Sequence, residues 1–99
     1  MEPAEALRIL EDARASGLAA IARAGTLDEL RDAEVAVLGR KAPLSHVQRS
    51  LGAVPAESRR DVGRATNEVR EALRAALEER ERELRADAER RVAEADRID

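Results

Sequence analysis

The sequence predicts an all-α fold, an antiparallel helical hairpin (two-stranded coiled coil) with a long C-terminal helix, a kinked partner helix and an additional N-terminal helix. The chain has no Phe, Trp or Tyr, and its Ala, Leu and Val residues suit a core of closely packed helices. Charged residues make up 39% of the chain, and a thin rod exposes that proportion more readily than a sphere does. The apolar residues also recur at helical spacing.

The first of three segments in this single domain (1–99) is an N-terminal helix within residues 1–25. Its apolar residues fall near helical spacing: Leu7, Leu10, Leu18 and Ile21. Gly17 is expected to weaken this helix by about 1 kcal/mol relative to Ala, and Gly25 stands where a left-handed Gly often ends a helix. Its apolar face needs a surface to cover, either residues 84–95 of the long helix or a second copy of the chain.

The second segment, residues 26–52, is predicted to be a kinked first arm. Thr26 and Glu29 form a capping box, in which each side chain satisfies a backbone amide at the start of a helix. Gly39 and Pro43 interrupt that helix, and Pro43 is suited to begin the next one. The apolar seam nevertheless keeps a spacing of seven across the break, at Leu30, Val37, Leu44 and Leu51. We therefore expect a kink between two stacked helices.

The third segment, residues 55–96, is predicted to be one long second arm that follows a turn at Gly52 and Pro55. Its apolar stripe comprises Val62, Thr66, Val69, Leu73, Leu77 and Leu84, continued by Ala88, Val92 and Ala95. A helix of roughly 40 residues is about 60 Å long and needs a partner along its stripe. On its outer face, Glu78 with Arg82 and Glu81 with Arg85 are spaced as ion pairs.

The residues that carry catalysis in other proteins are scarce in this chain. It has no Cys and a single His, His46, which we expect to lie on the surface. The sequence contains no nucleophile constellation and no phosphate-binding glycine loop, so we expect a non-enzymatic chain with no cofactor and no metal of its own. Without a signal peptide or an apolar run of roughly 20 residues, we expect a cytoplasmic protein that does not enter a membrane.

A basic stretch near the turn is the candidate binding site. Only Glu57 and Asp61 oppose its cations, which are Arg40, Lys41, Arg49, Arg59, Arg60 and Arg64. Long cationic side chains at the end of a rod suit the phosphates of a nucleic acid. Because stacking aromatic residues are absent, the expected ligand is a folded RNA recognised through its backbone.

The string Leu38–Ser45 carries a resemblance to a known family. It is followed, at the family's spacing, by a series of residues: Leu51, Gly52, Val54, Pro55, Glu57, Arg59, Arg60, Gly63 and Asn67. This series resembles the N-terminal coiled-coil domain of the alpha subunit of bacterial phenylalanyl-tRNA synthetase over about residues 26–84. The departures are Arg40 for a Lys, Val37 for an aromatic residue, and Ala42, Val54 and Ser58 for other family residues. They retain the seam and the positive charge.

The resemblance implies a function for the domain and its parent enzyme. The domain is expected to be a tRNA-binding arm that holds tRNA(Phe), with Arg40, Lys41, Arg59, Arg60 and Arg64 as contacts. The parent is expected to be a class II ligase with two alpha and two beta subunits. Its catalytic domain, expected beyond Asp99, would handle ATP, magnesium and phenylalanine.

Other functions stay open at this stage. A helical hairpin can also serve as a protein-interaction or oligomerisation module without RNA binding. The two-helix arm of seryl-tRNA synthetase is similar in form, but the Leu38–Ser45 string argues against it. A free-standing enzyme comes last, because no acid–base or nucleophile arrangement supports it.

Overall fold

The computed structural model describes the backbone of residues 1–97 and the side chains of residues 1–91. The α-helices are α1 (Pro3–Arg23), α2 (Leu27–Leu38), α3 (Pro43–Arg49) and α4 (Ala56–Arg97), with a 3₁₀ turn at Leu51–Ala53. The described residues contain no strand, so the all-α class is confirmed. The molecule is a rod of 67 × 19 × 16 Å, whose large surface accommodates the high content of charged residues.

Helix α1 lies alongside α4 and runs parallel to it. The amino group of Met1 donates to the Ala53 carbonyl at 3.4 Å, and at the other end the Ala24 carbonyl accepts from Arg80 Nε at 3.0 Å. Helix α1 therefore packs on the part of α4 nearer the turn, and not on the predicted surface beyond Leu84. Its buried face spans a regular helical stripe: Ala6, Leu10, Ala13, Gly17 and Ile21.

Gly17 lies where three helices meet. A Cβ atom at this position would lie 2.6 Å from Leu73 Cδ2 on α4 and 3.2 Å from Val37 Cγ1 on α2. Leu73 is fully buried, so its side chain has little room to move aside. The expected weakening of α1 by glycine is thus accompanied by a close approach of helices that a larger residue would prevent.

The connection between α1 and α2 is held by side chains. Thr26 Oγ1 accepts from the Glu29 amide at 3.0 Å, as the capping box predicts, and Glu29 Oε2 accepts from the Gly25 amide at 3.0 Å. The expected left-handed Gly25 is wrong, because no residue described has that backbone conformation. Instead Ala24 ends α1 in an extended conformation, and Arg80 binds its carbonyl.

The break between α2 and α3 lies at Gly39–Ala42. A Cβ atom on Gly39 would lie 2.3 Å from the Val35 carbonyl oxygen, so the chain needs glycine here. Ser45 Oγ donates to the Gly39 carbonyl at 2.7 Å, and Pro43 begins α3. Leu44 is as well buried as the residues of α2 before the break, so the apolar seam continues across it as expected.

Helix α4 supplies one side of the core along most of its length. Every predicted residue of its stripe from Val62 to Leu84 is buried: Val62, Thr66, Val69, Leu73, Leu77 and Leu84. The Thr66 hydroxyl donates to the Val62 carbonyl at 2.8 Å, which satisfies the polar group in the core. Ala88 is exposed, so the stripe ends earlier than predicted. The predicted continuation to Val92 and Ala95 lies outside the described side chains.

Candidate nucleic-acid interface

The six predicted cations are all exposed, and we call them together the basic surface: Arg40, Lys41, Arg49, Arg59, Arg60 and Arg64. They come from the α2–α3 break, the end of α3 and the first turns of α4. In the described part of the chain, none of them lies within ion-pair distance of a carboxylate. Their positive charge is therefore available to a ligand.

Arg59 holds the turn that joins the two arms. Its Nε donates to the Leu51 carbonyl at 3.1 Å, and its Nη2 donates to the carbonyls of Gly52 (3.3 Å) and Val54 (3.1 Å). These carbonyls belong to the 3₁₀ turn and the residue after it, where helical partners are missing. Nη1 keeps both of its N–H groups for other acceptors.

Arg49 and Arg40 are brought together at the α2–α3 break. Arg49 Nη1 donates to the Arg40 carbonyl oxygen at 2.7 Å, so the end of α3 is tied back to the break. Because the acceptor is a neutral carbonyl, the contact orients the Arg49 guanidinium without neutralising it. Lys41 is the adjacent exposed cation.

Arg60 and Arg64 are four residues apart on α4 and therefore share one face of the helix. Among the described residues, no hydrogen bond or ion pair joins them to Arg40 or Lys41. The basic surface thus has one part on α4 and another around α3.

Sequence reasoning missed Arg70, whose side chain joins α4 to α3. Its Nη1 donates to Asn67 Oδ1 at 2.9 Å, and its Nη2 donates to Gln48 Oε1 on α3. Asn67 lies one turn beyond Arg64, while Gln48 precedes Arg49. The contact with Gln48 spans 22 positions of sequence, so helical spacing alone gave no signal for it.

The opposite end of α4 uses its arginines differently. Four of them pair with carboxylates on the same helix: Arg80 with Glu83, Arg82 with Glu79, Arg85 with Glu81, and Arg90 with Asp87. The Arg85 pair was predicted, whereas Arg82 pairs with Glu79 and not with Glu78. A hydrogen bond from Arg82 to Glu79, and the charge of that carboxylate, raise the pKa of Arg82. Each of these four arginines thus already has a carboxylate partner.

Other kinds of site find little support in the described part of the molecule. His46 is exposed, as expected. No group of three or more His, Cys, Asp or Glu side chains among the described residues is arranged to hold a metal ion. No helix in that part of the chain has an apolar stretch long enough to cross a membrane. The arrangement suits binding of an anionic surface.

Comparison with known proteins gives a consistent result. Residues 25–93 match the family described as "Aminoacyl tRNA synthetase class II, N-terminal domain". The chain is 40% identical to the phenylalanine–tRNA ligase alpha subunit of Geobacillus thermodenitrificans over 90 residues, which are 91% of this chain and 26% of the relative.

Two further relatives carry the same name. The alpha subunit from Mycobacterium avium is 40% identical over 91% of this chain and 26% of its own length. The one from Streptomyces avermitilis is 36% identical over 100% of this chain and 26% of its own length. The chain therefore spans about a quarter of the length of the curated relatives it matches.

Proposed function

Because the chain belongs to the N-terminal domain family of class II aminoacyl-tRNA synthetases, as found in the phenylalanine–tRNA ligase alpha subunit, we propose that it is a tRNA-binding arm. The arm itself is non-catalytic. It positions tRNA(Phe) for aminoacylation by a catalytic domain that is not in this chain.

The main support for this proposal is that the arginines of the basic surface have no carboxylate partners among the described residues. Arg49 and Arg59 are held by neutral carbonyl groups, and Arg60 and Arg64 are exposed without a carboxylate partner among the described residues. A guanidinium that is oriented but not neutralised loses little conformational freedom when it binds a phosphate. This supports phosphate contacts that hold the RNA in position.

The type of recognition follows from the same residues. Arginine and lysine contacts to phosphate and ribose position a nucleic acid but read little of its sequence. The chain has no aromatic side chain on which a base can stack, which favours a folded RNA over a single strand. Binding is therefore expected to depend on the shape of the tRNA and to weaken as salt rises.

The remaining parts of the proposal concern the parent protein. ATP, magnesium and phenylalanine are assigned to its catalytic domain, outside this chain. The partners are the rest of the alpha subunit and the beta subunit, in an assembly of two alpha and two beta subunits. The place of action is the cytoplasm.

The alternative, a protein-interaction or oligomerisation module, was motivated by the unpartnered apolar face of the N-terminal helix. In the structure this face packs inside the chain, with Ala6, Leu10 and Ile21 buried. The alternative therefore lacks the observation that first suggested it. It predicts a chain that forms oligomers and does not bind RNA.

The test is a titration of the isotope-labelled chain with tRNA(Phe) and with an unrelated folded RNA, at low and at physiological salt, followed by backbone amide shifts. We expect shifts confined to about residues 40–70, larger for tRNA(Phe) and fading as salt rises. The double variant Arg60→Gln/Arg64→Gln should weaken binding. The matched control, Arg82→Gln/Arg85→Gln, removes the same number of charges from paired positions and should bind like the parent chain.

Two results would contradict the proposal. Absence of shifts even at low salt, together with concentration-dependent oligomers, would favour the interaction module. An equal loss of binding in the two double variants would mean that total charge, and not the basic surface, determines affinity.

A further inference from the structure

Arg70 has an unusual set of partners for a charged residue on a helix rich in carboxylates. Its guanidinium donates to the side-chain oxygens of Asn67 on its own helix and Gln48 on α3. Both acceptors are neutral amides, and no carboxylate lies within ion-pair distance of Arg70 in the described part of the chain. The charge of Arg70 is therefore fixed in place without being cancelled.

The position of Arg70 matters as much as its charge. Asn67 is one helical turn from Arg64, and Gln48 is the neighbour of Arg49. The contact with Gln48 thus places Arg70 where α4 meets α3. The guanidinium has five N–H groups, of which two are used, so three can still donate.

We propose that Arg70 binds a phosphate of the RNA backbone and that Gln48 and Asn67 orient its guanidinium for this contact. This inference rests on the proposed tRNA-binding function and adds a seventh cation to the basic surface. The surface then includes a cation that joins α4 to α3. Gln48 and Asn67 are positioning residues, since they act through Arg70.

The test measures the affinity of the full chain for tRNA(Phe) from about 50 to about 200 mM salt, because each phosphate contact contributes a slope of about one to log K against log salt. Arg70→Gln should bind about fivefold more weakly at low salt and lower the slope by about one, and the same is expected of Arg64→Gln. Arg70→Lys keeps the charge and should keep the slope. Arg85→Gln, whose arginine is paired with Glu81, is the control and should change neither quantity.

The orienting role of Gln48 is tested separately. Gln48→Ala leaves every charge in place, so the salt slope should stay at the parent value while affinity falls about two- to threefold at all salt concentrations. In the parent chain, the Nε–H resonance of Arg70 should shift when tRNA is added. This measurement needs no variant and is independent of any effect of substitution on folding.

Each outcome separates this inference from the function on which it rests. If Arg64→Gln weakens binding but Arg70→Gln retains the parent slope, and the Arg70 Nε–H resonance does not move, Arg70 only joins α3 to α4 and the inference is wrong. If the parent chain fails to bind tRNA at low salt, the proposed function itself falls, and this inference falls with it.

Discussion

In the turn half of the molecule, Arg49, Arg59 and Arg70 donate to neutral oxygen atoms, whereas in the distal half Arg82, Arg85 and Arg90 donate to carboxylates. Both halves are exposed and rich in charge. A neutral acceptor orients a guanidinium and leaves its charge available, while a carboxylate partly offsets that charge. The partners of the cations, and not their number, therefore distinguish the surface proposed to bind RNA from the distal face of α4.

The two halves also differ in the number of helices that pack together. In the turn half, α1, α2 and α4 meet at Gly17, Val37 and Leu73. Beyond Arg80, which binds the last carbonyl of α1, α4 packs against the start of α2 near Leu84. The turn half therefore has the thicker core, and it also carries the basic surface.

The largest expected effect comes from removing a buried leucine side chain, which compares the core of the turn half with that of the distal half. Leu73→Ala removes a fully buried side chain between three helices and should lower the free energy of unfolding by about 3 kcal/mol. Leu84→Ala, at the thinner part, should lower it by about 1–2 kcal/mol because the site can relax more easily. Urea unfolding followed by circular dichroism measures both, and equal losses would contradict the difference in packing.

The next effect separates arginines with different acceptors. Arg59→Gln loses three hydrogen bonds to backbone carbonyls and should lower the free energy of unfolding by about 1–2 kcal/mol. Arg85→Gln loses an exposed ion pair and should lower it by less than about 0.5 kcal/mol. Denaturant titration of both variants is the measurement. If Arg85→Gln lowered the free energy of unfolding more than Arg59→Gln does, the stabilising role given to the Arg59 hydrogen bonds would be wrong.

A pair of glycine variants tests the close approach of helices in the turn half. Gly63→Ala adds a methyl group that no side chain or neighbouring helix approaches within 4 Å, and it should stabilise α4 by roughly 0.5–1 kcal/mol. Gly17→Ala gains the same helix propensity but meets Leu73, so it should destabilise the chain by about 1 kcal/mol. The melting temperatures of the two variants should shift in opposite directions, upward for Gly63→Ala and downward for Gly17→Ala. A shared upward shift would mean that Leu73 adjusts freely.

The smallest effect concerns the distal half. Glu79→Gln removes the partner of Arg82, and the free energy of unfolding should fall only slightly at low salt, because both side chains are exposed. This difference should vanish at high salt, because exposed pairs are screened. Paired denaturation curves at the two salt concentrations provide the check. A difference that persists at high salt would indicate a role for Glu79 other than the ion pair.

Much of the architecture can be predicted from residues that are close together in the sequence. The capping box at Thr26, the break between Gly39 and Pro43, and the stripe of α4 each depend on neighbours within a few residues or on helical spacing. The way in which α1 ends could not be predicted from nearby residues. Its last carbonyl is bound by Arg80, 56 positions away, in place of the left-handed glycine that local rules favoured.

For the candidate site, the sequence by itself determined which residues carry positive charge and that they cluster near the turn. Charge is a property of each side chain, and α-helical spacing places the side chains on a face. Tertiary structure decided which of those charges remain available. Arg59 meets three carbonyls because the turn folds beside the start of α4, and Arg70 meets Gln48 because α3 packs on α4. Such contacts depend on the mutual position of helices, since residues distant in sequence meet only when packing fixes the register between elements.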